Sequence, residues 1–218
     1  MFTEKIGTVI STSESPSSTY FEFVINTSDI IRKGYFVQIN SPSGILIARI
    51  DEIIKSNRYF ENPGSVTEYE RSGLAMKDIL PVSRWESLVA RAEVLGISSD
   101  NIINRPKFPP SPGNEVFVAE KQLVIKFLGL NSDTGLDLGL LEFQDISAKI
   151  DMTKLFQKHL AILAMSGSGK SYLTSVLIEE LLDREEQHGQ VAVVMIDSHS
   201  EYSSFAKDRN YMKRVKII

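Results

Sequence analysis

The chain has no cysteine in 218 residues. That excludes disulfides and thiolate metal sites, and it suits an intracellular, cytoplasmic protein. Its 3 histidines, His159, His188 and His199, are too scattered to suggest a metal centre. No apolar run reaches the ~18 residues needed to cross a bilayer, so no membrane association is expected. The opening Met1-Phe-Thr-Glu-Lys5 also lacks the pattern of a signal peptide. Positive charge is in the minority, with 24 Lys and Arg against 28 Asp and Glu and a net charge of −4, so nucleic-acid binding would need a local basic surface. Lys207, Arg209, Lys213, Arg214 and Lys216 form a loose basic group, read here as a solvated face. What remains is a composition of 42% hydrophobic and 24% charged residues, able to bury a core in one large domain or two ordinary ones.

The first part of the chain reads as short strands separated by turn chemistry. Lys5-Ile-Gly-Thr-Val-Ile-Ser11, Tyr20-Phe-Glu-Phe-Val-Ile25, Tyr35-Phe-Val-Gln-Ile39 and Gly44-Ile-Leu-Ile-Ala-Arg-Ile50 are β-rich, with Lys33-Gly34 and Ser41-Pro-Ser-Gly44 between them. So few strands make a poor two-sheet sandwich, and a small barrel is the better fit. Residues 56–87 are polar and irregular, an excursion from the barrel with a short helix expected near Arg71–Lys77. Leu88, Ala90, Ala92 and Val94 alternate with polar residues and predict a strand returning to the barrel, with a helix as the alternative. Arg105-Pro-Lys-Phe-Pro-Pro-Ser-Pro-Gly113 is a stiff extended segment, because proline fixes φ and disfavours the α region before it. Strands follow at Glu115–Ala119 and around Leu138–Phe143, with an apolar stretch from Leu123 to Leu128 between them. The expected division is a barrel over residues 1–104, a Pro-rich and β-rich connection over 105–152, and a second part from 153 to 218.

The run Leu160-Ala-Ile-Leu-Ala-Met-Ser-Gly-Ser-Gly-Lys-Ser171 carries the strongest chemical signal. An apolar strand over Ala161–Ala164, a glycine-rich turn and a helix over Tyr172–Leu182 are the parts that wrap a nucleotide's phosphates. Glycines let main-chain N–H groups approach the phosphate oxygens. Lys170 would neutralise β/γ charge, Ser171 would bind Mg²⁺, and Ser166, Gly167, Ser168, Gly169 and Tyr172 complete the expected ATP-binding set. The first glycine of the full pattern G-x-x-x-x-G-K-[ST] is replaced by Ala164, a tolerable departure because the residues crowding the phosphates all fit.

Val191-Ala-Val-Val-Met-Ile196 is apolar without alternation and predicts a parallel strand covered on both faces, with Val215–Ile218 the start of another. Asp197 closes the first run, 27 residues beyond Lys170. It fits a Walker B carboxylate holding Mg²⁺ through water, which that separation makes short but possible. It also fits an acidic cluster with His199 and Glu201 at a strand's C-terminal end, where α/β sheets place ligands. A cap on the next helix is the third possibility. Spacing alone leaves all three open.

Taken together these residues resemble the HerA family of archaeal DNA translocases, within the HerA–FtsK group of P-loop ATPases. The blocks that carry the resemblance are Arg105–Gly113 with Glu115–Ala119, His159–Ser171 with its alanine in place of glycine, and Ile196-Asp-Ser-His-Ser-Glu-Tyr202, where Ser200 replaces a glycine. Ile6–Ile10 is similar to the start of the family's N-terminal barrel. The resemblance implies a homo-hexameric ring that hydrolyses ATP with Mg²⁺ to move double-stranded DNA and acts with a NurA-type nuclease in end resection and break repair. It places Asp197 in the Asp-x-His-x-Glu-Tyr segment, with an indirect hold on the metal, and gives Glu201 a catalytic part in positioning water or Mg²⁺.

The expected fold is therefore α+β in two parts, a small N-terminal β-barrel followed by the start of a P-loop α/β ATPase domain. The chain ends 48 residues after Lys170, which is short for such a domain. The expectation is a fragment of a longer protein or a truncated gene, with little ATPase activity of its own. The rival readings are a non-catalytic nucleotide-binding assembly module and a small P-loop kinase or GTPase with Asp197 as Walker B.

Overall fold

In a computed structural model the described residues are 4–26, 31–71, 73, 85–99, 102–130, 133–142, 144–157 and 159–218. They fall into two compact units, residues 1–124 with 142–144, and residues 125–141 with 145–218.

The first unit is the expected barrel. Strands β1 (Lys5–Ile10), β2 (Tyr20–Ile25), β3 (Phe36–Ser41), β4 (Gly44–Asn57), β5 (Glu86–Ser99) and β7 (Glu115–Val118) are joined in the order β2-β1-β7-β3-β4-β5. A further pairing of β2 with β5 closes this six-stranded antiparallel ring. A short strand, β6 (Ile102–Asn104), lies outside it against β5. Alternation explains the interior: in β2 every second residue points inward, and Phe21, Phe23 and Ile25 are buried. Across the β2–β5 seam the two phenylalanines meet small partners, Phe21 opposite Ala92 and Phe23 opposite Ala90. Large against small lets the side chains fill a narrow barrel without strain. Register shifts in the β4–β5 ladder, between Ile47 and Ala48 and between Ile50 and Glu52, bend the two long strands around it.

Gly7 is where this packing is tightest. A Cβ added there would lie 2.3 Å from the Val24 carbonyl oxygen and 2.6 Å from Cδ2 of Phe23. Gly7→Ala is therefore expected to lower the stability of the barrel by about 1–3 kcal/mol. Chemical denaturation followed by the emission of Trp85, the chain's single tryptophan, checks this; an unchanged midpoint contradicts it.

The polar excursion is shorter than its composition suggests. The β4–β5 ladder continues to Asn57 opposite Glu86, because backbone pairing does not need apolar side chains, and Lys55 and Glu86 add a cross-strand ion pair of 2.7 Å. Leu88–Val94 lies wholly within β5, so the helical alternative fails. Helix α1 (Pro63–Arg71) starts earlier than expected. Pro63 opens it, and Asn62 Oδ1 accepts the Gly64 N–H at 2.9 Å and the Ser65 N–H at 3.3 Å. Residues 72 and 74–77 of the expected helix lie outside the described residues, as does Phe143 at the end of the expected strand.

The Pro-rich segment forms neither helix nor strand. Its end is pinned to β1: the Gly113 N–H donates to the Val9 carbonyl at 2.8 Å, and the Val9 N–H donates to the Asn114 carbonyl at 2.9 Å. Gly113 turns the chain there with φ of 88°. Helix α2 (Lys121–Leu128) follows, with Val124 buried. The buried side chain of Gln144 also belongs to this unit. Its Oε1 accepts the Phe36 N–H at 3.0 Å and its Nε2 donates to the Phe36 carbonyl at 3.3 Å.

The second unit contains an antiparallel hairpin, β8 (Leu136–Leu141) with β9 (Ile146–Ile150), and helices α3 (Met152–Phe156) and α4 (Lys170–Asp183). Asp151 caps α3, its Oδ1 accepting the Lys154 N–H at 3.0 Å. Helix α4 packs against β8, where its Glu180 carboxylate accepts the Asp137 N–H at 2.8 Å.

Three strand expectations fail in this unit. Ala161–Ala164, Val191–Ile196 and Val215–Ile218 belong to no strand. A strand exists only where a neighbour accepts and donates its backbone hydrogen bonds, and these runs have no strand partner among the described residues. Their apolar side chains stay in solvent, with Leu163 90% and Ile196 96% exposed.

Candidate nucleotide site

The candidate loop runs from Met165 into α4 and is shaped by two glycines. Gly167 has φ of 81° and Gly169 φ of 88°, both in the left-handed region. A Cβ at either position would meet nothing within 4 Å, so glycine is needed here for backbone conformation and not for space. Ser168 closes the turn between them: its N–H and its hydroxyl both donate to the Met165 carbonyl, at 3.2 and 2.6 Å. Gly169 is the N-cap of α4 and supplies no side-chain hydrogen bond. The first turn of α4 also holds no acidic residue, so its partial positive charge is not answered from within the helix.

Residues 166–170 are exposed and Ser171 is half-buried. Lys170 is the first residue of α4, and its own carbonyl accepts the Thr174 hydroxyl at 3.1 Å. Tyr172, one residue beyond Ser171, is 76% exposed. An ammonium, a hydroxyl and uncapped main-chain N–H groups at one helix start are the donor types a triphosphate with its Mg²⁺ requires. Ala164, at the position of the missing glycine, is exposed.

The acidic segment is organised differently. Asp197 Oδ1 accepts the Glu201 N–H at 3.1 Å and its Oδ2 accepts the Tyr202 N–H at 2.9 Å. These bonds, the one from Tyr202 foremost, hold its carboxyl below the ordinary carboxylate value. The carboxylate therefore stays ionised throughout the neutral range, and its contribution to the turn is lost only as pH falls through that lowered value. The two bonds hold the turn from Asp197 to Tyr202, whereas the next helical turn, Ser203–Ala206, has Tyr202 as its N-cap and no side-chain cap bond, so Asp197 does not cap it. Glu201 is exposed. Ser200 takes φ of 57°, a conformation that glycine adopts at least cost.

Arg184 and Tyr211 were not legible as structural residues. Arg184, just past the end of α4, donates to the carbonyls of Thr134, His188 and Gly189 at 2.7 to 3.0 Å. An arginine closing a helix is a signal for such a role. Tyr211 donates to Asp183 at 3.0 Å, and desolvation together with that bond raises its phenol above the ordinary value. The basic group is exposed as expected, except that the Arg214 guanidinium also donates to the Leu182 carbonyl. A groove of about 360 Å³ beside α4 is lined by apolar Ile178, Leu181, Val193, Met195 and Phe205 together with Arg214 and Lys216. No helix among the described residues is long and apolar enough to cross a membrane.

The family described as the central domain of the HerA helicase matches residues 136–218. A DNA double-strand break repair helicase HerA of Pyrococcus furiosus is 26% identical over 204 residues, covering 93% of this chain and 36% of the relative. A probable DNA double-strand break repair helicase HerA of Methanocaldococcus jannaschii is 34% identical over 138 residues, 63% of this chain and 26% of the relative. A probable helicase of the same organism is 29% identical over 190 residues, covering 85% and 34%. The chain thus spans 26% to 36% of the length of these helicases. The matched region holds both the phosphate-loop sequence and the Asp197 segment, and the long match to the Pyrococcus protein extends the likeness across most of the chain. Residues 136–218 thus carry sequence of the HerA helicase central-domain family, and the chain is similar to HerA helicases over most of its length.

Proposed function

We propose that this chain supplies the N-terminal barrel and the ATP-binding loop of a HerA-type DNA translocase. In this reading residues Ser166–Tyr172 hold the triphosphate. Lys170 would neutralise β/γ charge as the catalytic cation, and the Ser171 hydroxyl would be a ligand for Mg²⁺, which supplies further charge neutralisation when bound. Glu201 positions the attacking water. The observation that carries the reading is the loop itself, two left-handed glycines leading into an uncapped helix that begins with Lys170 and Ser171. Similarity to the HerA helicases extends the proposal to a homo-hexameric ring, to double-stranded DNA as the track and to a NurA-type nuclease as partner in end resection.

Titration of the chain with a fluorescent ATP analogue, with Mg²⁺ and with EDTA, tests the site. Saturable binding that weakens in EDTA is expected, and Ser171→Ala should remove most of the difference between the two conditions. Absence of saturable binding by the unmodified chain overturns the proposal.

A further inference from the structure

Residues 207–216, Lys-Asp-Arg-Asn-Tyr-Met-Lys-Arg-Val-Lys, hold five cations and one anion in ten positions. The segment carries +4, and the rest of a chain of net charge −4 therefore carries −8. Lys207, Arg209, Lys213, Arg214 and Lys216 are all exposed, and none forms an ion pair with a carboxylate among the described residues. Asp208, the one acid present, is engaged by the main chain, its Oδ1 accepting the Asn210 N–H at 2.8 Å. Backbone turns hold the array in shape. The Met212 N–H donates to the Asp208 carbonyl at 2.8 Å, and the Val215 N–H donates to the Tyr211 carbonyl at 3.0 Å. Two side chains fix it to the C-terminal end of α4, Tyr211 through Asp183 at 3.0 Å and Arg214 through the Leu182 carbonyl. Tyr211 and Val215 are half-buried, so the turns pack with their apolar members and leave their charges in solvent.

Resting on the translocase reading above, we propose that residues 207–216 are a contact surface for the phosphate backbone of duplex DNA, with Lys207, Arg209, Lys213 and Lys216 as its cations. Four unpaired cations on an otherwise acidic chain make a local attraction that the net charge conceals. A polyphosphate gains from each of them by releasing condensed counter-ions. Arg214 is left out of the four because its guanidinium already holds the Leu182 carbonyl. Phosphate is favoured over a bilayer because the surface offers charge without an apolar stripe. Met212 is the segment's one exposed large apolar residue, whereas a segment that lies on a membrane buries a whole apolar face. Backbone contacts carry no base information, so the surface should show no preference for DNA sequence.

Fluorescence anisotropy of a labelled duplex, titrated with the full chain over a series of salt concentrations, reads the contact. Each cation that touches a phosphate contributes about 0.9 to the slope of log affinity against log salt. Lys213→Gln should therefore lower the slope by about 0.9, and glutamine at Lys207, Arg209, Lys213 and Lys216 together should lower it by about 3.6. Lys33→Gln makes the same charge change at an exposed position before β3 and should leave the slope unaltered. The fourfold variant should keep the thermal midpoint of the unmodified chain, since all four side chains are exposed and Tyr211 and Arg214 stay in place. The single Lys213→Gln variant reads the same contact should the fourfold one unfold. Four results overturn the proposal: no duplex binding at low salt, an unchanged slope in the fourfold variant, equal effects of Lys33→Gln and Lys213→Gln, or binding of anionic lipid vesicles in place of the duplex. The duplex titrations contain no nucleotide, so failure of the unmodified chain to bind the ATP analogue defeats the nucleotide reading separately.

Discussion

Phe23→Ala will lower the unfolding free energy of the barrel by about 3–5 kcal/mol, the range for removing a fully enclosed aromatic side chain. Phe23 has no exposed surface. It stands opposite Val9 on β1 and Ala90 on β5, so it packs at the strand that joins both neighbours. Its ring lies beside that of Phe21, with centroids 6.0 Å apart. The small partners explain the size of the expected loss. Ala90 and Gly7 cannot extend into the space the ring leaves, and the closed ladder on both sides of β2 limits how far the backbone can collapse. Denaturant unfolding of the full chain, read through Trp85, measures the change. Trp85 is a fitting reporter because it lies one residue before β5, stacked with the Arg58 guanidinium at 5.2 Å and edge-on to Tyr59. A loss below about 1 kcal/mol would mean that the barrel interior can repack, against its alternation of large and small residues. Phe23→Ala should also fail to rescue Gly7→Ala, since the nearest atom to the added methyl is the main-chain oxygen of Val24 and not the ring.

The barrel was legible in the sequence where strands are local and amphipathic. Phe21, Phe23 and Ile25 alternate with polar or less buried neighbours, and Ser41–Gly44 marks a tight turn between strands that do pair, Ser41 opposite Gly44. Closure was not legible, because it depends on pairs far apart in the chain. Glu115–Val118 joins β1 to β3, and nothing in four residues says which two strands they will meet. The polar arm of β4 beyond Ile50 shows the same limit from the other side, since Asp51–Asn57 has only the adjacent Ile53 and Ile54 among polar residues, with no alternation to mark a strand, yet pairs through to Glu86. Hydrophobic patterning reports which surface must be buried, and hydrogen-bond partners lie outside its reach.

The candidate site divides in the same way. The loop was legible because its chemistry is local: Gly167 and Gly169 need φ values that other residues avoid, and Lys170 and Ser171 follow at once on the helix. The runs at Ala161–Ala164 and Val191–Ile196 were read as strands from apolar content alone. Strand character is a property of pairs, and these runs lack strand partners among the described residues. Spacing leaves Asp197 three roles, and its bonds to the Glu201 and Tyr202 N–H groups depend on how the backbone turns between them, which spacing does not report.

Lys170→Ala is expected to weaken binding of an ATP analogue by roughly a hundredfold in the presence of Mg²⁺. Removing the ammonium takes away one charge-assisted contact to the β/γ-phosphates, on the order of 1.5–3 kcal/mol, at about 1.4 kcal/mol per tenfold. The same substitution should leave thermal stability within about 0.5 kcal/mol, because Lys170 is exposed at the start of α4 and its side chain fills no core space. That pairing of results separates the proposed role from a structural one: a residue needed for the loop's shape would lower both quantities together. Lys170→Arg refines the test. It retains the charge but replaces a compact point donor with a larger planar fork, so binding should recover only in part. Equal affinity in Lys170→Ala and the unmodified chain would place the triphosphate elsewhere and remove the basis for reading this chain as the nucleotide-binding part of a translocase. A loss confined to the Mg²⁺-free condition would point instead to Lys170 as a substitute for the metal's charge, with Ser171 and the main-chain N–H groups of α4 holding the phosphates when the ion is present.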